Sequence, residues 1–276
     1  MAQRRRVVSV LIGTGLMASL GRAAGEDAAK QPDAAGKARP FSVFASGLAE
    51  PRGLLFGLDG TLYVAEQRSG TIAAIGVDGK IARIAKGLSS PHDLARDGQG
   101  NLYVAETGAD RISKLTRSGN VTSHIENLES PVDLDFAPDG ELWVCELTGN
   151  VRAFATPAKS RTVVRLAGPH GLAFTKSSAV FINDWRGNRV VQLDAGGTAR
   201  PFAELAGPVG LAFGRSGDLY VAQPQVHRVT RIQTDGTRHT FATELNEPRD
   251  PAFDRAGNLY LAETLAGRVL KYAGEF

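Results

Sequence analysis

An apolar pentapeptide recurring six times, a proline-led hexapeptide ahead of each copy, and Gly-containing turns between the two predict an all-β fold. The architecture that fits is a six-bladed β-propeller of four-stranded antiparallel blades. The pentapeptides are LYVAE at 62–66, LYVAE at 102–106, LWVCE at 142–146, VFIND at 180–184, LYVAQ at 219–223 and LYLAE at 259–263. The hexapeptides begin at Pro51, Pro91, Pro131, Pro169, Pro208 and Pro248, so both anchors step by 40, 40, 38, 39 and 40 residues.

Each repeat supplies four short strands. The proline-led segment is the first and the pentapeptide the second; dipeptides such as Asp59-Gly60, Asp97-Gly98 and Asp139-Gly140 join them, since Gly tolerates the positive φ of a tight hairpin. A third strand follows (RISKL, RVVQL, RVTRI, RVLKY) and then a fourth (IARIA, VTSHI, TVVRL). The sixth repeat stops after its third strand, whereas residues 38–48, ARPFSVFASGL, resemble fourth strands and precede the first repeat. The N-terminal strand is therefore expected to complete the last blade, closing the ring and removing its free edges.

Residues 1–24 read as a signal peptide: MAQRRR, an apolar run of 14 residues, then small residues. Gln3-Arg4-Arg5-Arg6-Val7-Val8 also fits the twin-arginine pattern. The run is shorter than the roughly 20 residues of a stable membrane span. A periplasmic or secreted location is the expectation, with residues 25–37 a flexible leader and 38–276 the propeller. Of 32 Lys and Arg, four lie within residues 1–24, which hold no acid; the remaining 28 face 29 Asp and Glu. The mature chain is nearly neutral, which removes the basic footprint that nucleic-acid binding requires. One Cys, Cys145, excludes an internal disulfide framework and occupies the slot that is Ala in four other repeats.

First strands line the central channel of a propeller, so equivalent positions converge at its mouth. After the anchor proline come Arg52, His92, Val132, His170, Val209 and Arg249; next come Gly53, Asp93, Asp133, Gly171, Gly210 and Asp250. Three readings stand for this uneven polar set. His92, His170 and Asp250, with Glu106 from the strand-two ring, would hold a divalent ion (Zn, Mg or Ca). Alternatively Arg52 and Arg249 clamp an anion without a metal or other cofactor. The third reading is solvated channel residues. The last residues of the second strands, Glu66, Glu106, Glu146, Asp184, Gln223 and Glu263, form another ring; they either accept loop amides in every blade or present acids to the channel, Glu106 and Glu146 foremost. Asp93, Asp184 and Trp185 join Arg52 and Arg249 as candidate ligand-binding residues, Trp185 as a hydrophobic wall of the pocket or else a filler between blades. No serine-nucleophile motif, phosphate-binding Gly loop or CxxC pair occurs.

With PHGLAF, LYVAE-like strands and RV or RI third strands, the chain resembles the NHL-repeat propellers and, more loosely, the streptogramin (virginiamycin B) lyase group, over about residues 40–276. Similarity to peptide-amidating lyases implies metal-binding His92 and His170, but the third such place is Arg249, followed by the retained Asp250. Similarity to streptogramin lyases implies a Mg²⁺ site with acids matching Glu106, Glu146 or Glu263. The gluconolactonase group binds its metal where this chain has Arg52, His170 and Val209. The expectation is an exported propeller that binds a small anionic ligand. If an enzyme, it is a lyase or metal-dependent hydrolase, with His170 or Glu146 moving a proton and Arg249 stabilising oxyanion charge. The competing expectation is a non-catalytic scaffold for a protein or glycan partner.

Overall fold

The computed structural model describes residues 30–32, 38–116, 119–194 and 196–276. Six four-stranded antiparallel sheets form a closed propeller. Blade one comprises Pro51–Phe56, Leu62–Glu66, Thr71–Ile75 and Ile81–Lys86; blade two begins at Pro91–Arg96, three at Pro131–Phe136, four at Pro169–Phe174, five at Leu211–Phe213 and six at Pro248–Phe253. The repeated pentapeptides form the second strands, and their residues are buried on both faces between blades, as Leu62, Val64 and Ala65 of LYVAE are.

The ring closes with a strand borrowed from the N-terminus. Ser42–Ser46 pairs antiparallel with Arg268–Tyr272 as the outer strand of blade six. Ala45 and Leu48 lie in one cluster with Leu54 of blade one and Tyr260 and Val269 of blade six. A short ladder precedes this strand: Lys30–Pro32 pairs with Ala38–Pro40, so 30–32 are not the structureless leader the composition suggests. The expected signal peptide lies outside the described residues. Among the described residues no helix is long and apolar enough to cross a membrane; the helical segments there are two single turns, Thr107–Ala109 and Pro224–Val226.

Blades adhere by an aromatic ladder away from the mouth. The Phe ending a first strand packs edge-on against the second-strand aromatic of the preceding blade: Phe136 on Tyr103 at 5.0 Å, Phe174 on Trp143 at 5.3 Å, Phe213 on Phe181 at 5.3 Å, Phe253 on Tyr220 at 5.1 Å and Phe56 on Tyr260 at 4.9 Å. Each such pair contributes about 0.5–1.5 kcal/mol beyond its buried area. Cys145 is a buried free thiol in its alanine slot.

At the other end of the first strands, a β-bulge follows the anchor proline in five blades. A bulge re-aims side chains. Here it coincides with the two successive positions whose side chains line the channel.

Candidate functional site

The channel has two tiers. A mouth cavity of about 420 Å³ is lined by Arg52, His92, Val132, His170 and Arg249, with the loops after the second strands adding Gln67, Thr107, Leu147, Trp185, Pro224 and Gln225, and Glu247 completing the rim. Beneath it, about 20 Å³ is lined by the same proline-following residues together with Gly53, Asp93, Asp133, Gly210 and Asp250. That is room for a single water.

In the upper tier, His92 and His170 meet edge to face with ring centroids 5.1 Å apart. Burial, then Arg249, pushes His170 down to about 3; burial, then His170 and Arg52, holds His92 well below the usual imidazole value, while its ring hydrogen-bonds the Val132 main chain. Both imidazoles are neutral at pH 7 and, in this environment, only weakly basic. Arg52 is lowered to about 10 by burial and by Arg249 beside it, and stays charged. Glu247 bridges the two guanidiniums: its Oε1 accepts from Arg249 Nη2 and lies 3.8 Å from Arg52 Nη1. Both arginine Nε atoms are buried without a hydrogen-bond partner. Trp185 stands 6.4 Å from His170, centroid to centroid, with Arg186 over its ring at 5.7 Å.

The lower tier is a blade-to-blade staple. Asp250 Oδ2 accepts the Leu54 N–H at 2.9 Å, Asp133 Oδ1 accepts that of Leu172 at 3.2 Å, and Asp93 accepts from Leu94 and Leu134. Each of the three carboxylates thus ties down an amide of the next blade's first strand. A Cβ on Gly53 or Gly210 would overlap the Asp93 or Asp250 carboxyl, which is why glycine stands there. Burial pushes Asp93 up to about 7, and burial with the neighbouring Asp carboxyls raises Asp133 and Asp250 well above the carboxylate range. The three side chains have free surface only toward the small channel space, so desolvation governs them.

Several expectations need correction. Glu106 is neither a metal ligand nor at the channel: it is buried, accepts from Ser89 N–H at 2.7 Å and Arg111 Nε at 2.8 Å, and also binds Ser113. Burial raises its pKa, but these hydrogen bonds outweigh burial and leave it below the usual value. Glu146 is not placed for catalysis, because Glu129 N–H and Arg152 hold it. Asp184, expected to bind ligand, accepts instead from Gly168 N–H at 2.9 Å and Arg189 Nε at 3.1 Å. The repeated carboxylate is structural throughout; where the residue is Gln223, its amide reverses the bond and donates to Ala206 O at 2.9 Å. Asp93 belongs to the amide staple of the lower tier and not to the ligand-binding mouth.

A divalent metal does not fit. Among the described residues no three His, Cys, Asp or Glu side chains converge on one point. The expected donor set fails for physical reasons: His92 and His170 lie between two cations, Asp250 is committed to the Leu54 amide, and Glu106 is out of reach. Of the expected site residues, Arg52, His92, His170, Trp185 and Arg249 share the mouth. Glu247, Gln67, Thr107, Leu147 and Gln225 join them without having been singled out; position would have found Glu247, the residue before the sixth anchor proline.

A larger groove of about 670 Å³ runs between blades three and four at the opposite ends of the strands, lined by Trp143, Arg161, Phe174 and Gln192 among others. Comparable seams lie between blades six and one and between one and two. Its Arg161 is paired with Glu141 at 2.5 Å. It is a feature of how blades splay, with no group poised for chemistry.

Fold and mouth together define a six-bladed propeller with an asymmetric polar channel opening. No family model matches the chain, and no curated protein matches it. Solved structures do. A virginiamycin B lyase from Staphylococcus aureus is 19% identical over 82% of each chain, with a TM-score of 0.66. A gluconolactonase from Xanthomonas campestris is 18% identical over 84% of this chain and 89% of its own, with a TM-score of 0.77. A streptogramin B lyase is 19% identical over 86% of this chain and 83% of its own, with a TM-score of 0.66. The likeness to lyase and gluconolactonase propellers expected from the repeats is found, and at these identities it establishes the fold.

Proposed function

We propose that this chain is an exported propeller whose channel mouth binds a small organic anion between Arg52 and Arg249, and that the neutral imidazoles beside it serve lyase or hydrolase chemistry. One observation carries the reading. Two guanidiniums stand side by side at a 420 Å³ cavity with their Nε donors buried and unpartnered. Two adjacent cations share a site at a cost that a bound anion removes, and a guanidinium matches a carboxylate bidentately.

The chemistry follows from the neighbours. His170 is unprotonated, and an anion lying between the arginines offsets the Arg249 charge that, after burial, depresses it, so its basicity rises with ligand bound. It then takes the proton beside the ligand's carbonyl as the group on the next carbon departs with the electron pair, or takes the proton of a water attacking that carbonyl. Arg249, in contact with the same cavity, stabilises the negative charge that appears on oxygen as the proton leaves. No metal takes part in this scheme. Likeness to propellers that include a lyase and a gluconolactonase supports the reaction class.

The test is thermal denaturation with a panel of sodium carboxylates against sodium chloride at equal ionic strength. A ligand that binds the folded state raises Tm. A rise with one or more carboxylates that disappears in an Arg52→Gln/Arg249→Gln double variant is expected; equal rises in both proteins would refute the proposal.

A further inference from the structure

We infer that the ligand is a monocarboxylate carrying an apolar, ring-sized body, and that Glu247 sets this charge selection. The inference rests on the anion-site reading above. The mouth is divided in two. Blades six, one and two contribute Glu247, Arg249, Arg52, Gln67, His92 and Thr107; blades three to five contribute Val132, Leu147, Trp185 and Pro224, with His170 and Gln225. A ligand whose charged end lies on the arginines therefore directs the rest of itself onto an apolar half-ring closed by an indole.

Charge selects further. Among the side chains that line the mouth, two guanidiniums less one carboxylate leave a single positive charge, because both imidazoles are neutral. A monoanion balances it. A dianion would place its second charge either beside Glu247, whose carboxylate already accepts from Arg249, or on the apolar half-ring, and the channel floor adds no cation beyond the same two arginines, only the three Asp side chains. Like charges in a cavity screened from bulk water repel strongly. Glu247 also mimics the ligand: its carboxylate bridges the two guanidiniums, so a bound carboxylate competes for, or shares, those same donors.

Calorimetric titration with four probes, benzoate, acetate, succinate and inorganic phosphate, tests this on wild type, Glu247→Gln, Glu247→Asp and Trp185→Ala. In wild type, benzoate is expected to bind about tenfold or more tightly than acetate, from the apolar area it buries, and more tightly than succinate or phosphate. Trp185→Ala should remove most of the benzoate advantage and leave acetate unchanged. Glu247→Gln should raise phosphate and succinate affinity about tenfold relative to benzoate, while Glu247→Asp, which keeps the charge, retains the wild-type ratio. Dianions binding wild type as well as benzoate does, or a ratio unmoved by Glu247→Gln, would overturn the inference while leaving the anion site intact. If no probe binds, or if Arg52→Gln/Arg249→Gln changes no affinity, the anion-site reading falls as well.

Discussion

His92 and His170 touch edge to face, 5.1 Å between centroids, in the one layer of the channel that also holds Arg52 and Arg249. Two imidazoles so placed cannot both carry charge. Following their C–H signals by NMR should therefore show no titration from pH 8 down to pH 5, with His170 protonating only near 3. Arg249→Gln removes the second-largest cause after burial and should move His170 upward. An imidazole titrating near 6.5 in the wild type would contradict this environment.

Stability should fall as pH rises above neutrality. Asp93 is raised from 3.8 to about 7, and Asp133 and Asp250 are held well above the carboxylate range by burial and then by Asp93. The folded state keeps protons that the unfolded chain has lost, so this contribution is complete below about pH 4 and is lost as pH climbs through 7, at up to about 1.4 kcal/mol per unit per group. The histidines act in the opposite sense: their depressed folded values give a contribution complete above about 6.5 that is lost as pH falls. Between about 4 and 6.5 the two effects oppose; above 6.5 only the acids remain. Denaturant melts should thus give decreasing stability from pH 6.5 to 8.5, and Asp93→Asn should flatten that slope. An unchanged slope in the variant would show that the lower tier is ionised.

The second-strand carboxylates should matter to folding and not to binding. Glu106→Gln keeps one oxygen to accept from Arg111 and Ser113, as Gln223 Oε1 accepts from Arg228 and Thr230 in blade five, but gives up the charge and one acceptor; it is expected to cost about 1 kcal/mol with anion affinity unchanged. Arg111→Ala should cost more, about 2–3 kcal/mol, because it strips a partner from a carboxylate that has no exposure to water. A loss of ligand affinity in Glu106→Gln that exceeds its loss of stability would return Glu106 to the channel.

Removing the closing strand should open the ring. A chain lacking residues 38–46 leaves Arg268–Tyr272 with unpaired N–H and C=O groups along one edge. Size-exclusion chromatography should show association, and the melt should lose cooperativity. A monomer with wild-type Tm would mean the closure contributes little.

How much of this was legible in the sequence depended on periodicity. Six blades and their boundaries follow from repeat spacing, the borrowed Ser42–Ser46 strand from the fourth strand missing in repeat six and its likeness at 38–48, and Cys145 could be assigned to a buried alanine slot. The direction of side chains could not. A bulge after the anchor proline puts His92 in the mouth cavity and Asp93 in the amide staple, and no residue pattern announces a bulge. Recurrence itself misled for Glu106, Glu146 and Asp184, since a carboxylate kept in place by packing against loop amides repeats as faithfully as one that binds ligand. Glu247 escaped notice because it precedes the proline, in the left-handed region at φ 57°, outside the strand pattern being read.

The account stands on where an organic anion sits. Crystals soaked with 4-bromobenzoate and measured at the bromine absorption edge would locate it directly. The prediction is a carboxylate about 2.7–2.9 Å from the guanidinium nitrogens of Arg52 and Arg249, with the bromine peak against Trp185 and Leu147. A bromine peak confined to the groove beside Trp143 and Arg161, with the channel mouth empty, would contradict it.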